Sequence, residues 1–185
     1  MSKKIIFSGG GTGGHIFPAI NLMKHFFDKG YEVILVTDDR GNQFNEKKSE
    51  FKSYILKTGT PTNKNLLKKF FSYFLIFYSV IKAILIIKKE KPNLIFGFGG
   101  YVSFPISFAS RFFNLPLIIY ESNMILGRAN KYLSSFSKKI LLAKKITNNL
   151  SKDFIKKTYE VGSILNKKII NNNFIKKNME KNFFS

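Results

Sequence analysis

Three short segments carry the residues that could do chemistry. The first is Ser8-Gly9-Gly10-Gly11-Thr12-Gly13-Gly14-His15, set between an apolar run and a helix-like stretch. Glycines in such a turn let backbone approach a pyrophosphate, and the helix N-terminus behind them offers free N–H groups and a favourable dipole. Gly9, Gly11 and Gly14 also satisfy G-x-G-x-x-G, a pattern shared with dinucleotide sites. His15 follows the last glycine directly. An imidazole there can take a hydroxyl proton as a general base, or it can simply hydrogen-bond loop backbone. The second segment, Gly97-Phe98-Gly99-Gly100-Tyr101, is another glycine turn after an apolar run. The third is Tyr120-Glu121-Ser122-Asn123. Glu121 could orient a substrate hydroxyl or a catalytic group, and Asn123 could bond a sugar or phosphate. Either could equally cap the segment that follows. His25, the second of two histidines, lies mid-helix and reads as a surface or packing residue.

The elements that must position these residues alternate between apolar runs and helix-like stretches, which predicts an α/β fold with a parallel sheet. Strands are expected at Lys4–Ser8, Glu32–Thr37, Phe51–Leu56, Asn93–Gly97, Leu115–Glu121, Lys139–Leu142 and Thr158–Val161. Helices are expected at Pro18–Lys29, Ser103–Phe113 and Gly127–Ser135. All three chemical segments then fall at the carboxyl ends of strands, where parallel sheets gather ligands into one crevice. Leu66–Ile87 is a long apolar stretch interrupted by Lys68, Lys69 and Lys82. A membrane span needs about 20 apolar residues, so this stretch reads as a span, as a crossover helix, or as a helix resting its aromatic face on lipid.

Composition narrows the classes. With 44% hydrophobic residues the chain is globular, and with no cysteine it has neither disulfides nor thiolate metal sites. The net charge of +20 comes almost wholly from lysine, since Arg40, Arg111 and Arg128 are the only arginines. Base readers favour the planar guanidinium fork. The charge therefore points to an anionic membrane surface rather than to nucleic acid. No secretory leader is read at Met1–Ser8, which predicts a cytoplasmic start.

Taken together, Gly10–His15 with Pro18, Gly99-Gly100-Tyr101-Val102-Ser103 with Pro105, Glu121-Ser122-Asn123, Gly127, Asn130-Lys131 and Val161-Gly162 match in order and spacing the motifs of one family. The chain resembles the MurG family, bacterial transferases that make lipid II, over roughly residues 3–165. The resemblance implies a Rossmann-like parallel sheet with helices on both faces, the N-terminal domain of a GT-B glycosyltransferase. It implies transfer of N-acetylglucosamine from UDP-N-acetylglucosamine to undecaprenyl-linked lipid I, with inversion and with neither metal nor cofactor. The site would be peripheral, on the cytoplasmic face of the bacterial inner membrane. By the same carry-over His15 matches the proposed base. Thr12, Gly13, Gly14 and Asn123 match positions assigned to the nucleotide sugar, and Tyr101, Glu121 and Asn130 match acceptor-side positions. Residues 1–163 would be the acceptor-binding domain and 164–185 a linker or frayed tail. The donor-binding C-terminal domain would be absent, to be supplied by a separate half, so that the chain alone transfers little or nothing. Asn166 stands where the family usually has a donor-binding arginine. Two other readings stay open: an NAD-dependent oxidoreductase domain with Asp38 on a ribose hydroxyl, and a non-enzymatic membrane-associated module.

Overall fold

The computed structural model describes residues 3–44, 51–59, 65–144 and 152–165. Seven parallel strands form one sheet: β1 Lys4–Ser8, β2 Glu32–Thr37, β3 Lys52–Ile55, β4 Leu94–Gly97, β5 Leu117–Glu121, β6 Lys139–Leu142 and β7 Thr158–Glu160. Their order is β3-β2-β1-β4-β5-β6-β7. The direction of winding reverses between β1 and β4, so the turns leaving these two strands part and open a crevice at the sheet's carboxyl edge.

Strand alternation sorts the core into two layers. Ile6, Ile34, Val36, Ile95, Leu117 and Ile119 face helices α3 (Leu66–Glu90) and α4 (Gly100–Ala109) and the short α5 (Arg128–Leu133). Their neighbours Ile5, Phe7, Val33, Leu35, Phe96 and Tyr120 face α1 (Gly13–Asp28), which buries Ile16, Ala19, Ile20 and Met23. Both faces of β1 and β4 are thus covered, which is why these strands read as unbroken apolar runs. On the α1 side Phe7 and Phe96 stack with ring centroids 5.6 Å apart, and Phe98 continues the aromatic row to Tyr120.

Helix starts differ from the expectation at both glycine turns. α1 begins at Gly13, not Pro18, because extended Thr12 is the N-cap and its carbonyl accepts from the N–H groups of His15 and Ile16. α4 begins at Gly100, not Ser103, and tightens into a 3-10 turn at Ser110–Phe113. Each helix carries its proline, Pro18 or Pro105, inside rather than at its first residue. Two short helices had no clear sequence signal: α2 (Asp39–Gln43) and α6 (Lys152–Ile155).

α3 is a crossover helix with two different halves. Asn65 caps its start by accepting from the N–H groups of Leu67 and Lys68, and Lys91 ends it in the left-handed conformation before Pro92. The second half buries Ser79, Ala83, Ile86, Ile87 and Glu90. The first half stands clear of the sheet, with Leu66, Leu67, Phe70, Phe71, Phe74 and Phe77 all exposed. By length and composition the whole of α3 could cross a membrane, with a mean hydropathy of 2.2 over its apolar window, and 28% of that window is buried within the protein.

At the amino edge of the sheet, buried Glu90 gathers three elements. Its carboxylate meets Lys52 at 2.6 Å and Lys4 at 3.5 Å and accepts from the Tyr54 hydroxyl. Burial alone pushes the Glu90 carboxyl up. Hydrogen bonds from Lys52 and Tyr54 and the charges of Lys52 and Lys4 outweigh it and hold the group below its ordinary value.

Candidate active site

A cleft of about 710 Å³ lies over the crevice between β1 and β4. Gly10, Gly11, Thr12 and His15 line it from the first glycine turn, Gly100, Tyr101 and Val102 from the second, and Glu121 and Asn123 from the third segment. The three segments singled out by residue type therefore share one pocket. Gly13 and Gly14 form the first turn of α1 behind the lining. Asn130 does not line the cleft; it is buried beneath it, 1% exposed.

Two helix N-termini face this space. Neither α1 nor α4 has a side-chain cap or an acidic residue in its first turn. The first N–H groups of a helix have no partner within it, so both ends keep donors and dipole for an incoming anion. One loop amide is already engaged: the Gly11 N–H donates to Asp38 Oδ1 at 3.1 Å. The same oxygen accepts from Gly41 N–H at 2.9 Å and so caps α2. Asp38 thus splints the first glycine turn to β2, and one of its oxygens is spent on backbone.

The His15 ring packs against the second glycine turn. A methyl group on Gly99 would stand 3.3 Å from its Cε1, and one on Gly100 3.1 Å from its Cδ2. Gly99 and Gly100 also have φ of 83° and 73°, where side chains are strained. The ring can lie there only because both residues are glycine. Its Nδ1 is buried without a hydrogen-bond partner, so the ring does not bond the loop backbone through that nitrogen. The ring lines the cleft.

Glu121, 1% exposed, is saturated from within the protein. Its Oε1 accepts from the Asn123 N–H at 3.0 Å and the Asn123 amide at 2.9 Å. Its Oε2 accepts from the Gly127 N–H at 2.9 Å and the Asn130 amide at 3.0 Å. Four donors from one loop and one helix make Glu121 the post on which residues 121–130 are hung. The Asn130 amide also donates to the Tyr120 carbonyl at 3.0 Å. Tyr120 ties down the chain's exit: its hydroxyl donates to Gly162 O and accepts from Ile164 N–H, each at 3.3 Å. Burial pushes this hydroxyl's pKa up, and the Ile164 N–H partly offsets the rise. Asn166 lies outside the described residues.

The cleft is also lined by residues not singled out from the sequence: Asp39, Arg40, Lys57 and Thr58 beyond β2 and β3, and Arg128 at the start of α5. The carboxyl-end rule applied to every strand points to Lys57 and Thr58, which follow β3 after Leu56. Arg40, Lys57 and Arg128 are cations, which suits a cleft whose two helix ends also favour anions.

A family model described as glycosyltransferase family 28 N-terminal domain matches residues 5–142. A Wolbachia protein from the Brugia malayi symbiont, named UDP-N-acetylglucosamine--N-acetylmuramyl-(pentapeptide) pyrophosphoryl-undecaprenol N-acetylglucosamine transferase, is 42% identical over 128 residues, 69% of this chain and 35% of its own length. A protein of the same name from Rickettsia canadensis is 37% identical over 169 residues, 91% of this chain and 46% of that protein. Among solved structures, Acinetobacter baumannii MurG superposes with a TM-score of 0.69 at 27% identity, over 80% of this chain and 44% of that one. The chain thus spans less than half the length of these relatives.

Proposed function

Because the chain belongs to the glycosyltransferase family 28 N-terminal domain family, we propose that it forms the acceptor-side half of a transferase moving N-acetylglucosamine from UDP-N-acetylglucosamine to undecaprenyl-linked lipid I. The observation that carries this reading is the meeting of two uncapped helix ends and the His15 ring in one cleft at the sheet's switch point. A diphosphate suits the helix ends, with Arg40, Lys57 and Arg128 as further cations on the walls. His15 takes the proton of the acceptor hydroxyl as its oxygen attacks the anomeric carbon. The bond from that carbon to UDP breaks, the centre inverts, and UDP departs with the electron pair. Charge at the anomeric carbon passes through an oxocarbenium-like state, as in glycoside hydrolysis. Thr12, Gly13, Gly14 and Asn123 serve the nucleotide sugar and Tyr101 the acceptor. The remaining donor contacts come from a further C-terminal half.

The exposed half of α3 rests on the cytoplasmic face of the inner membrane. Phe70, Phe71, Phe74 and Phe77 supply apolar contact, and Lys68, Lys69 and Lys82 supply attraction to anionic headgroups. A lipid-linked acceptor makes such a surface useful, because it reaches the cleft without leaving the bilayer.

A transfer assay tests the reading. The chain is mixed with radiolabelled UDP-N-acetylglucosamine, a lipid I analogue and a C-terminal half taken from the Rickettsia canadensis relative. Labelled lipid product that needs both halves supports it. Saturable NAD(H) binding abolished by Asp38→Ala, with no acceptor binding, would replace it by the oxidoreductase reading.

A further inference from the structure

Three consecutive residues join the cleft to the apolar helix. Lys57 and Thr58 line the cleft. The Lys57 backbone is anchored to α3: its carbonyl accepts from the Ser79 hydroxyl at 2.5 Å, and Ser79 is buried. Gly59 lies hard against the same helix, since a methyl there would stand 2.4 Å from Ser72 Cα, closer than real contacts allow. Ser72 and Ser79 are seven residues apart, about two turns, and so share one stripe of α3. Phe70, Phe74 and Phe77 stand exposed on the rest of its surface. Residues 57–59 span at most about 7 Å, and a helix with its side chains is about 10 Å thick. The Lys57 wall of the cleft therefore stands about one helix thickness from the surface offered to lipid. The other cleft cations, Arg40 and Arg128, belong to α2 and α5 instead.

From this juxtaposition we propose that Lys57 is the contact for the acceptor's diphosphate, at the mouth where the polyprenyl tail leaves the cleft along α3 for the bilayer. Ser79 and Gly59 act as positioning residues that hold the Lys57 loop to the helix. The proposal rests on the reading of the acceptor as lipid-linked, and it deepens that reading. A polyprenyl tail stays in apolar surroundings, so the diphosphate it carries must sit at a wall adjoining them. A lysine suits that place. Its ammonium rides on a flexible stem that can lie along apolar surface while the charge follows a phosphate.

Vesicle flotation of the full chain tests this without turnover. One set of phosphatidylcholine vesicles carries an undecaprenyl-linked lipid I analogue. A second carries phosphatidylglycerol at matched surface charge. Wild type is expected to bind the first set more tightly. Lys57 is exposed, so its replacement leaves the core intact. Lys57→Gln is expected to weaken binding to the first set about tenfold, the loss of one charged hydrogen bond, with binding to the second little changed. Lys57→Arg is expected to restore most of the loss, and Ser79→Ala to cause a smaller loss of the same selectivity. Undiminished binding of the lipid I analogue by Lys57→Gln, or an equal loss on both sets, overturns the inference and leaves the acceptor reading standing. A wild-type chain with no preference for the first set removes the lipid-linked acceptor reading, and the inference with it.

Discussion

Glu121→Gln isolates the hydrogen-bond post, because the two side chains have nearly the same volume and no cavity is opened. The carboxylate accepts four N–H bonds, whereas an amide can accept only on its one oxygen. Two donors must therefore face an NH2 group. The cheaper rotamer turns that group towards Asn123, which is exposed and can recover a bond from water, and keeps the oxygen on Gly127 and buried Asn130. A hydrogen bond to a charged acceptor contributes about 1.5–3 kcal/mol, so two of them amount to roughly 3–6 kcal/mol before compensation. Hydration of Asn123, and the lower desolvation cost of a neutral group, return part of this, leaving a net loss of about 2–4 kcal/mol. Urea denaturation followed by far-UV circular dichroism measures it as a shift in midpoint at unchanged slope. Hydrogen exchange at the Gly127 amide should accelerate in parallel. A loss below about 1 kcal/mol, with that amide still protected, would refute the view that Glu121 holds the loop.

Further predictions follow from other parts of the fold. Glu90 has a depressed folded pKa, so its contribution is present above the unfolded value of 4.5 and fades as pH falls through the lower folded value. Midpoints compared at pH 7 and pH 3 should therefore fall less steeply for Glu90→Gln than for wild type. Replacing Phe70, Phe74 and Phe77 together by serine removes three exposed rings from α3 and should weaken binding to anionic vesicles on the order of a hundredfold in a flotation assay, with the melting temperature little changed. Tyr120→Phe deletes the bonds to Gly162 and Ile164 and should cost about 1 kcal/mol. It should also raise exchange at the Ile164 amide.

Much of this architecture was legible as pattern. β1 and β2 coincide with the expected strands because runs such as Ile5-Ile6-Phe7 and Val33-Ile34-Leu35-Val36 have no polar face to place in water. The three chemical segments could be assigned to one crevice because parallel strands present all their exits on the same edge. Helix starts were misjudged for a local reason. Pro18 suits a first helical residue, yet Gly13 and Gly14 before it are already helical, and Gly100 is already helical before the expected start at Ser103. What sequence could not reveal was division of labour among neighbours of like type. Asn123 and Asn130 look equivalent as letters. Asn123 caps a loop at the cleft's rim and Asn130 is sealed below, because α5 turns it towards the Tyr120 carbonyl. Asp38 resembled a ribose ligand by position, but the approach of Gly11 and Gly41, set by strand register, engages one of its oxygens on backbone.

The reversal between β1 and β4 has a thermodynamic side. The cleft's walls come from both arms of the sheet: Gly10, Gly11, Thr12, His15, Asp38 and Lys57 from one, Gly100–Val102, Glu121 and Arg128 from the other. A molecule lodged there is a clasp across the seam, and it loses its grip if either arm detaches. Occupancy should consequently raise the melting temperature of the whole chain, by the equivalent of about 2.7 kcal/mol at a ligand concentration a hundred times Kd. Scanning calorimetry can then rank nucleotide, diphosphate and lipid-linked sugar as occupants before any product is formed.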